Sequence, residues 1–320
     1  MKHMAAVGLV TAFILLGIAC SAEDAIQEEE ESMEQLGIQA NLVFFYYPDL
    51  EAAERFYTGL LGLEKVLDYG FARICRISES TYIGLVDETK GMHDPSEPKT
   101  VTLAFVTEEI DGWYDYLAEQ GVEMRGPLGD ASRHPTRGFV AYDPAGYFLE
   151  FERFLDHPQN VKFHAHLEGV ESVYPPAGQD TTRPAELGVR ASVFWLYYKD
   201  IPAAQEFYEY VFGASQLVDQ GFAKVFSSSR SGFIGLVDEA QGLHHFSDQK
   251  AVNVSFFTDQ IDEWYARFRV KGVTIKDPLE DASGIPVRAF VGYDPAGYFI
   301  EFDTFLEDPR NTRILEYLSR

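Results

Sequence analysis

Short apolar runs separated by turn residues fill the chain from about Gln39 onward. The aromatic-rich run 41–47 predicts a strand. Asp49 then predicts the N-cap of a helix, because the following apolar positions keep a 3.6-residue period until Gly59 and Gly62. Three short strands are predicted next, at 63–68, 71–77 and 81–86. This stretch therefore predicts one strand, one helix and three strands.

The same order of elements begins again further along the chain. Residues 100–106 predict a strand, and 107–120 predict a helix that ends before Gly121. The whole unit then recurs without insertion or deletion, since His93 corresponds to His244 and the offset is 244 − 93 = 151. The pattern predicts an α+β protein of two tandem domains, 39–160 and 188–316, joined by a linker at 161–187.

The first 38 residues have a different character. An apolar run at 5–16 and small residues before Cys20 indicate a signal peptide at 1–20. The ending Leu16 to Cys20 resembles a bacterial lipobox, so we expect Cys20 to be lipidated and the protein to be tethered to the bacterial cell envelope, at the outer membrane or periplasmic face in a Gram-negative host. A conventional cleaved signal and an uncleaved anchor are the alternatives. Residues 21–38 form an acidic spacer, which we expect to be disordered.

The net charge of the chain limits the kinds of molecule that it can bind. The chain has 51 acidic and 26 basic residues, a net charge of −25. Such a field disfavours nucleic acid and anionic membrane surfaces, and it steers cationic ligands toward the protein. The only other cysteine is Cys75, so we expect no disulfide within the chain. The sequence leaves the oligomeric state open.

One hairpin can be placed by its turn. Asp143 to Gly146 have type I turn preferences, which predicts that Tyr142 pairs with Tyr147. On that register Arg137 becomes a diagonal neighbour of Glu150 on the same face. The second copy repeats the arrangement with Arg288 and Glu301.

Three motifs carry a family resemblance. They are Asp-Leu-(x)4-Arg-Phe-Tyr at 49–57, Leu-Gly-Leu at 61–63, and Asp-Pro-Ala-Gly-Tyr-Phe-Leu-Glu-Phe at 143–151. Together with the order of elements, they resemble the vicinal oxygen chelate superfamily, which includes glyoxalase I, extradiol dioxygenases and bleomycin-resistance proteins. The resemblance implies that each copy holds two βαβββ modules whose curved mixed sheet surrounds a cleft. Whether the two copies share a cleft stays open.

The resemblance also implies where a metal would bind. The first ligand position is Leu42 or Val193, the next is Thr102 or Asn253, and only the final glutamate matches. Divalent ions need three or four protein donors. We therefore predict no cofactor, with a divalent metal at Glu150 or Glu301 as the weak alternative.

The retained polar residues have more than one interpretation. We favour Glu150 and Glu301 as structural ion-pair partners of Arg137 and Arg288, with a ligand-facing carboxylate as the alternative to both the ion pair and the metal. His93 and His244 are the histidines kept in both copies. They either cap a strand end or act as catalytic bases or ligand donors.

Strand alternation predicts an aromatic cleft wall with one carboxylate in each domain. Such a wall suits a flat or cationic small molecule, unless side chains fill the cleft. We expect a metal-independent, membrane-tethered protein that binds a small aromatic or cationic ligand. One alternative is a glyoxalase- or dioxygenase-like enzyme, a lyase, isomerase or oxygenase with a non-standard or metal-free site. The other alternative is an interaction module. The wall residues are Phe44, Tyr46, Thr102, Phe148 and Glu150 in the first copy, and Trp195, Tyr197, Asn253, Phe257, Phe299 and Glu301 in the second.

Overall fold

The computed structural model describes residues 36–94, 96–130 and 135–319. The strands of the first copy are β1 Ile38–Tyr47, β2 Glu64–Asp68, β3 Ala72–Arg76, β4 Thr81–Asp87, β5 Val101–Val106, β6 Thr136–Tyr142 and β7 Phe148–Phe154. Its helices are α1 Leu50–Glu54, continued by a π-helical turn at Arg55–Leu60, then α2 Ile110–Glu119, a 3₁₀ turn at Pro158–Asn160 and α3 Val161–His166.

The second copy repeats these elements. Its strands are β8 Ala191–Tyr198, β9 Gln216–Asp219, β10 Ala223–Ser227, β11 Gly232–Asp238, β12 Asn253–Thr258, β13 Ile275–Asp281, β14 Val287–Tyr293 and β15 Phe299–Phe305. Its helices are α4 Ile201–Tyr210, α5 Ile261–Val270, a 3₁₀ turn at Pro309–Asn311 and α6 Thr312–Leu318.

Two details of the predicted elements can be compared with the structure. Asp49 is the N-cap of α1, as predicted, because its side chain accepts a hydrogen bond from the Ala52 amide at 2.9 Å. The βαβββ order predicts a strand before β6, and this prediction is wrong in the first copy. A single β-bridge between Met124 and Ala141 occurs there instead. Its counterpart β13 is formed, so the modules differ at one edge.

The strands assemble into two sheets, and each sheet contains strands of both copies. Sheet A has the order β13-β14-β15-β12-β1-β4-β3-β2, and sheet B has the order β6-β7-β5-β8-β11-β10-β9. The joints are antiparallel, β1 with β12 and β5 with β8. The predicted α+β class with two tandem βαβββ-type copies is confirmed. The sequence left open whether the copies share a cleft, and the structure builds each sheet, and so each cleft wall, from strands of both copies.

Two buried tyrosines join the copies across these sheets. The Tyr147 hydroxyl accepts a hydrogen bond from the Tyr46 amide at 3.0 Å and donates to the Ala251 carbonyl at 2.7 Å. Tyr298 makes the equivalent contacts in the second copy, at 2.9 and 2.7 Å. Each tyrosine satisfies backbone groups of both copies, so the shared arrangement hydrogen-bonds polar atoms that burial would otherwise leave unpaired.

The closing hairpin corrects the predicted register. Tyr142 pairs with Phe148 rather than with Tyr147, and Arg137 pairs with Arg153. The cause is Gly146, whose φ of +83° adds a left-handed residue after the type I turn and lengthens the loop by one residue. A shift of one residue moves every side chain of a strand to the other face of the sheet.

The helices and the connecting segment pack against the sheets. Trp113 of α2 lies 4.9 Å from the Phe151 ring, and Trp264 of α5 lies 4.8 Å from Phe302. In the segment 161–187, the Arg183 guanidinium is buried and donates to backbone carbonyls, including that of Leu61 at 3.1 Å. The linker is therefore anchored to the fold over part of its length.

No helix within the described ranges is long and apolar enough to cross a membrane. Cys20 and the signal-like segment lie outside the described residues.

Candidate functional site

Each sheet presents one face away from the long helices. On sheet A this face carries Phe44 and Glu301 and is called cleft A; on sheet B it carries Trp195 and Glu150 and is called cleft B. Register places the residues of cleft A in one row after another, since Phe44 pairs with Asn253, which pairs with Phe299. Each cleft therefore combines part of the wall predicted for one copy with part of the wall predicted for the other.

Cleft A encloses a cavity of about 220 Å³. Its wall is mostly aromatic and aliphatic. Lys90, Glu301 and Asp303 are the charged residues of that wall. Phe44 lies flat against Gly84, where a Cβ atom would come within 2.2 Å of the ring. The other lining residues are Tyr46, Leu67, Tyr69, Phe71, Ala72, Ile74, Val86, Gly91, Met92, Asn253, Ile285, Val287 and Phe305.

A chain of hydrogen bonds leads from the loop after β4 into cleft A. His93 Nδ1 lies 2.6 Å from a Glu97 oxygen, and its Nε2 lies 2.6 Å from Asn253 Oδ1. The Asn253 amide donates in turn to Glu301 at 3.0 Å. The imidazole is buried and stacks on Phe299 at 4.5 Å. His93 is therefore a fixed member of the cleft, and both of its ring nitrogens are engaged.

The two acids of cleft A are difficult to ionise. Burial raises the pKa of Asp303 to about 7, and the hydroxyl of Ser255, which donates to it, offsets this only in part. Burial and the neighbouring Asp303 raise the pKa of Glu301 well above its ordinary value, while Asn253 lowers it in part. Asp277 also raises the Glu301 pKa, and Lys276, whose ammonium lies 2.6 Å from Asp277, lowers it in part.

Cleft B has the acids but lacks most of their donors. Thr102 stands in the position of Asn253 and bonds the Tyr197 hydroxyl at 2.7 Å. Burial raises the pKa of Glu150 to about 7. Burial and the neighbouring Glu150 raise the pKa of Glu152 well above its ordinary value, and the Trp195 indole lowers it in part. Glu152 Oε1 and Trp195 Nε1 are buried without a hydrogen bond of normal geometry.

Aromatic side chains occupy cleft B. His244 lies 4.2 Å from the Phe148 ring and 4.9 Å from that of Tyr197. Burial lowers the His244 pKa to about 4, and the Val101 carbonyl opposes this shift. Its Nε2 is buried without a hydrogen-bond partner in the described chain. Phe163 of α3 stacks on Phe154 at 4.0 Å.

The predicted ion pairs of the cleft glutamates are wrong. Arg137 lies on the helix side of its sheet and contacts both Asp111 oxygens at 2.7 Å. Arg288 likewise contacts Asp262, at 2.7 and 2.9 Å. The one-residue shift in the hairpin explains this, because it turns the arginines away from the cleft face that carries the glutamates.

The side chains at the superfamily's metal positions do not suit a divalent metal. In cleft A they are Leu42, Asn253 and Glu301, and the amide already bonds His93 and Glu301. In cleft B they include the aliphatic Val193 and a threonine engaged by tyrosine. The described residues contain no group of three histidine, cysteine, aspartate or glutamate side chains placed to hold an ion. A lone carboxylate with such neighbours lacks the donors that these ions require.

Three features define the class of protein, which is that of the two-module glyoxalase-like folds. They are the paired βαβββ-type modules, the sheets shared between the repeats, and the acid-containing cleft on each sheet. The family model described as Glyoxalase/Bleomycin resistance protein/Dioxygenase superfamily matches residues 39–151 and 190–302. The chain belongs to this superfamily.

Solved structures show the same fold. A putative dioxygenase from Bacillus subtilis is 14% identical, with 87% of this chain and 89% of that chain covered and a TM-score of 0.58. Glyoxalase I from Zea mays is 14% identical, with 87% and 94% covered and a TM-score of 0.56. These identities support the fold and not the activity. No curated protein sequence matches this chain significantly.

The structure separates the predicted site residues into two sets. Phe44, Tyr46, Asn253, Phe299, Glu301 and His93 meet in cleft A, and Trp195, Tyr197, Thr102, Phe148, Glu150 and His244 meet in cleft B. Phe257 packs on Phe305 at 4.9 Å beneath cleft A. Sequence reasoning missed Asp303 and Glu152, although an acid is kept at this position in both copies, two residues after the predicted glutamate and on the same strand face.

Proposed function

We propose that cleft A binds a small organic cation that contains an aromatic ring. The observation that carries this proposal is the aromatic cavity of about 220 Å³ with the buried carboxyls of Glu301 and Asp303 in its wall. Ring stacking and cation–π contact suit Phe44 and Tyr46, and the carboxyls supply the charge. Cleft B has Thr102 in the place of Asn253 and so lacks the amide that bonds Glu301 in cleft A; we therefore expect one ligand per chain, in cleft A.

The acids also predict how binding depends on pH. The cation binds the ionised carboxyls, whereas burial raises the pKa of Asp303 to about 7 and that of Glu301 further. The affinity should therefore rise as the pH rises through 7, because less free energy is then needed to remove the proton. The net charge of −25 increases the local concentration of cations around the protein.

Thermal unfolding with three matched compounds tests this proposal. Protonated 2-phenylethylamine should raise the melting temperature at pH 8, whereas neutral 2-phenylethanol and anionic phenylacetate should not. The variant Glu301→Gln should lose the response. The matched control Glu150→Gln, in cleft B, should keep it. Equal stabilisation by all three compounds, or loss of the response in Glu150→Gln alone, would contradict the proposal.

We further propose that the protein performs this binding at the bacterial cell envelope, anchored by a lipid on Cys20. The support is the apolar segment that stops at small residues directly before Cys20. The intact mass of protein from the membrane fraction should correspond to a chain that begins at a diacylated or triacylated Cys20. A mature chain that begins at Ser21 or later, or one that retains Lys2, would contradict lipidation.

A metal-free proton-transfer enzyme is the second candidate. Its support is the pKa of about 7 at Asp303 beside Glu301, because a general base works best when its pKa is near the ambient pH. Proton NMR in heavy water would detect exchange of the α-hydrogens of a simple hydroxyketone such as hydroxyacetone. Exchange that the wild type catalyses and Glu301→Gln does not would favour the enzyme over the binder.

A further inference from the structure

A second and larger cavity lies where the two copies meet, outside both clefts. Its volume is about 780 Å³, within the range typical of small-molecule sites. The hairpins after β3 and β10 join beside it, because the Ser80 hydroxyl lies 2.8 Å from that of Ser229 and 3.0 Å from that of Ser231. Residues of both copies therefore contribute to its wall.

The charge of this cavity is opposite to that of the protein. Two arginines, Arg76 and Arg230, and His166 line it together with one acid, Glu79. Arg230 donates to the backbone carbonyls of residues 166 and 168 and not to a carboxylate. In a chain with 51 acidic and 26 basic residues, this wall is locally basic.

Two polar groups of the wall are buried without partners among the described residues. Arg76 Nε has no hydrogen bond, and its guanidinium is held 4.1 Å above the Tyr317 ring. Ser228 is 2% exposed, and its hydroxyl also has no partner. A buried polar group without a hydrogen bond costs folding free energy. A ligand that bonds these groups would recover that energy.

The repeat provides an internal control for the role of the arginines. Arg76 corresponds to Ser227 in the second copy, and Arg230 corresponds to Glu79 in the first. The same hairpins form with serine and glutamate at these positions. The hairpins therefore do not require either arginine. Arg230 also bonds the carbonyls of residues 166 and 168, whereas Arg76 Nε has no partner among the described residues.

We infer that this cavity is a second binding site, for a hydroxylated organic phosphate such as a phosphate monoester of a sugar. The arginines would take the phosphate through charge-assisted hydrogen bonds. The serine hydroxyls can both donate and accept, which matches the hydroxyl groups of a polyol. The remaining serines of the wall are Ser80, Ser215, Ser227 and Ser229.

Calorimetric titration of the full chain with glucose 6-phosphate tests the inference, with glucose and inorganic phosphate as matched probes. Glucose 6-phosphate should bind more tightly than either probe. Arg76→Ser and Arg230→Glu, each of which introduces the residue of the other copy, should weaken binding by about tenfold or more. Glu301→Gln should leave this binding unchanged, which separates the site from cleft A.

Several outcomes would overturn the inference. No binding of glucose 6-phosphate up to about 10 mM would do so, as would glucose binding as tightly as its phosphate. Unchanged affinity in both arginine variants would place the phosphate elsewhere. If either variant unfolds, judged by its circular dichroism and melting temperature, Ser228→Ile replaces it, because Ile77 occupies that position in the first copy. This variant should also weaken binding.

Discussion

Replacing Glu150 with glutamine should stabilise the protein at alkaline pH. Burial raises the Glu150 pKa to about 7, whereas an unfolded chain has a glutamate pKa near 4.3. The folded state thus retains a proton that the unfolded state has lost, so stability falls as pH rises from about 4 through 7. The difference corresponds to about 4 kcal/mol at pH 8. Glutamine keeps the shape and removes this penalty.

Urea unfolding at pH 5 and pH 8 measures the effect. Relative to the wild type, Glu150→Gln should gain up to about 4 kcal/mol of unfolding free energy at pH 8 and much less at pH 5. Arg137→Met is the control, since its exposed pair with Asp111 should contribute less than about 1 kcal/mol at either pH. Destabilisation of Glu150→Gln by a similar amount at both pH values would refute the reasoning and restore an ion-pair account.

Three further predictions follow from other contacts. Tyr147→Phe leaves the Tyr46 amide and the Ala251 carbonyl unpaired, so denaturant unfolding should show a loss of about 1–3 kcal/mol; an unchanged midpoint would contradict the bridging role. Gly146→Ala forces alanine to a φ of +83° and should cost about 1 kcal/mol in the same assay, whereas no loss would mean that the bulge is not required. Asp303→Asn should flatten the rise of 2-phenylethylammonium affinity between pH 6 and 8 in calorimetry, and an unaltered pH dependence would exclude this carboxyl.

The local elements could be predicted because they depend on periodicity and caps within short segments. Asp49 and the strand runs were sufficient for the βαβββ order. The sharing of sheets could not be predicted. The strands β5 and β12 are equivalent in the two copies, so the sequence allows β1 to pair with either one. Only three-dimensional contacts, such as that of Tyr147 with Ala251, distinguish these two pairings.

The candidate site was predicted in composition but not in assembly. The glutamates and aromatic residues were chosen from strand alternation, which says which face of the sheet a side chain occupies. That prediction holds even if the neighbouring strand is misassigned, but it fails if the strand register is shifted by one residue. The extra residue at Gly146 shifts the hairpin register by one. Arg137 therefore faces α2 and bonds Asp111, instead of facing the cleft as the sequence had predicted. A glycine at the fourth turn position was the available signal for the bulge.

Calorimetric stoichiometry with 2-phenylethylammonium at pH 8 tests the central claim most directly. The account predicts one ligand per chain in the wild type and in Glu150→Gln, and no binding in Glu301→Gln. Two ligands per chain, or binding that Glu301→Gln retains and Glu150→Gln loses, would contradict the assignment of cleft A as the binding site.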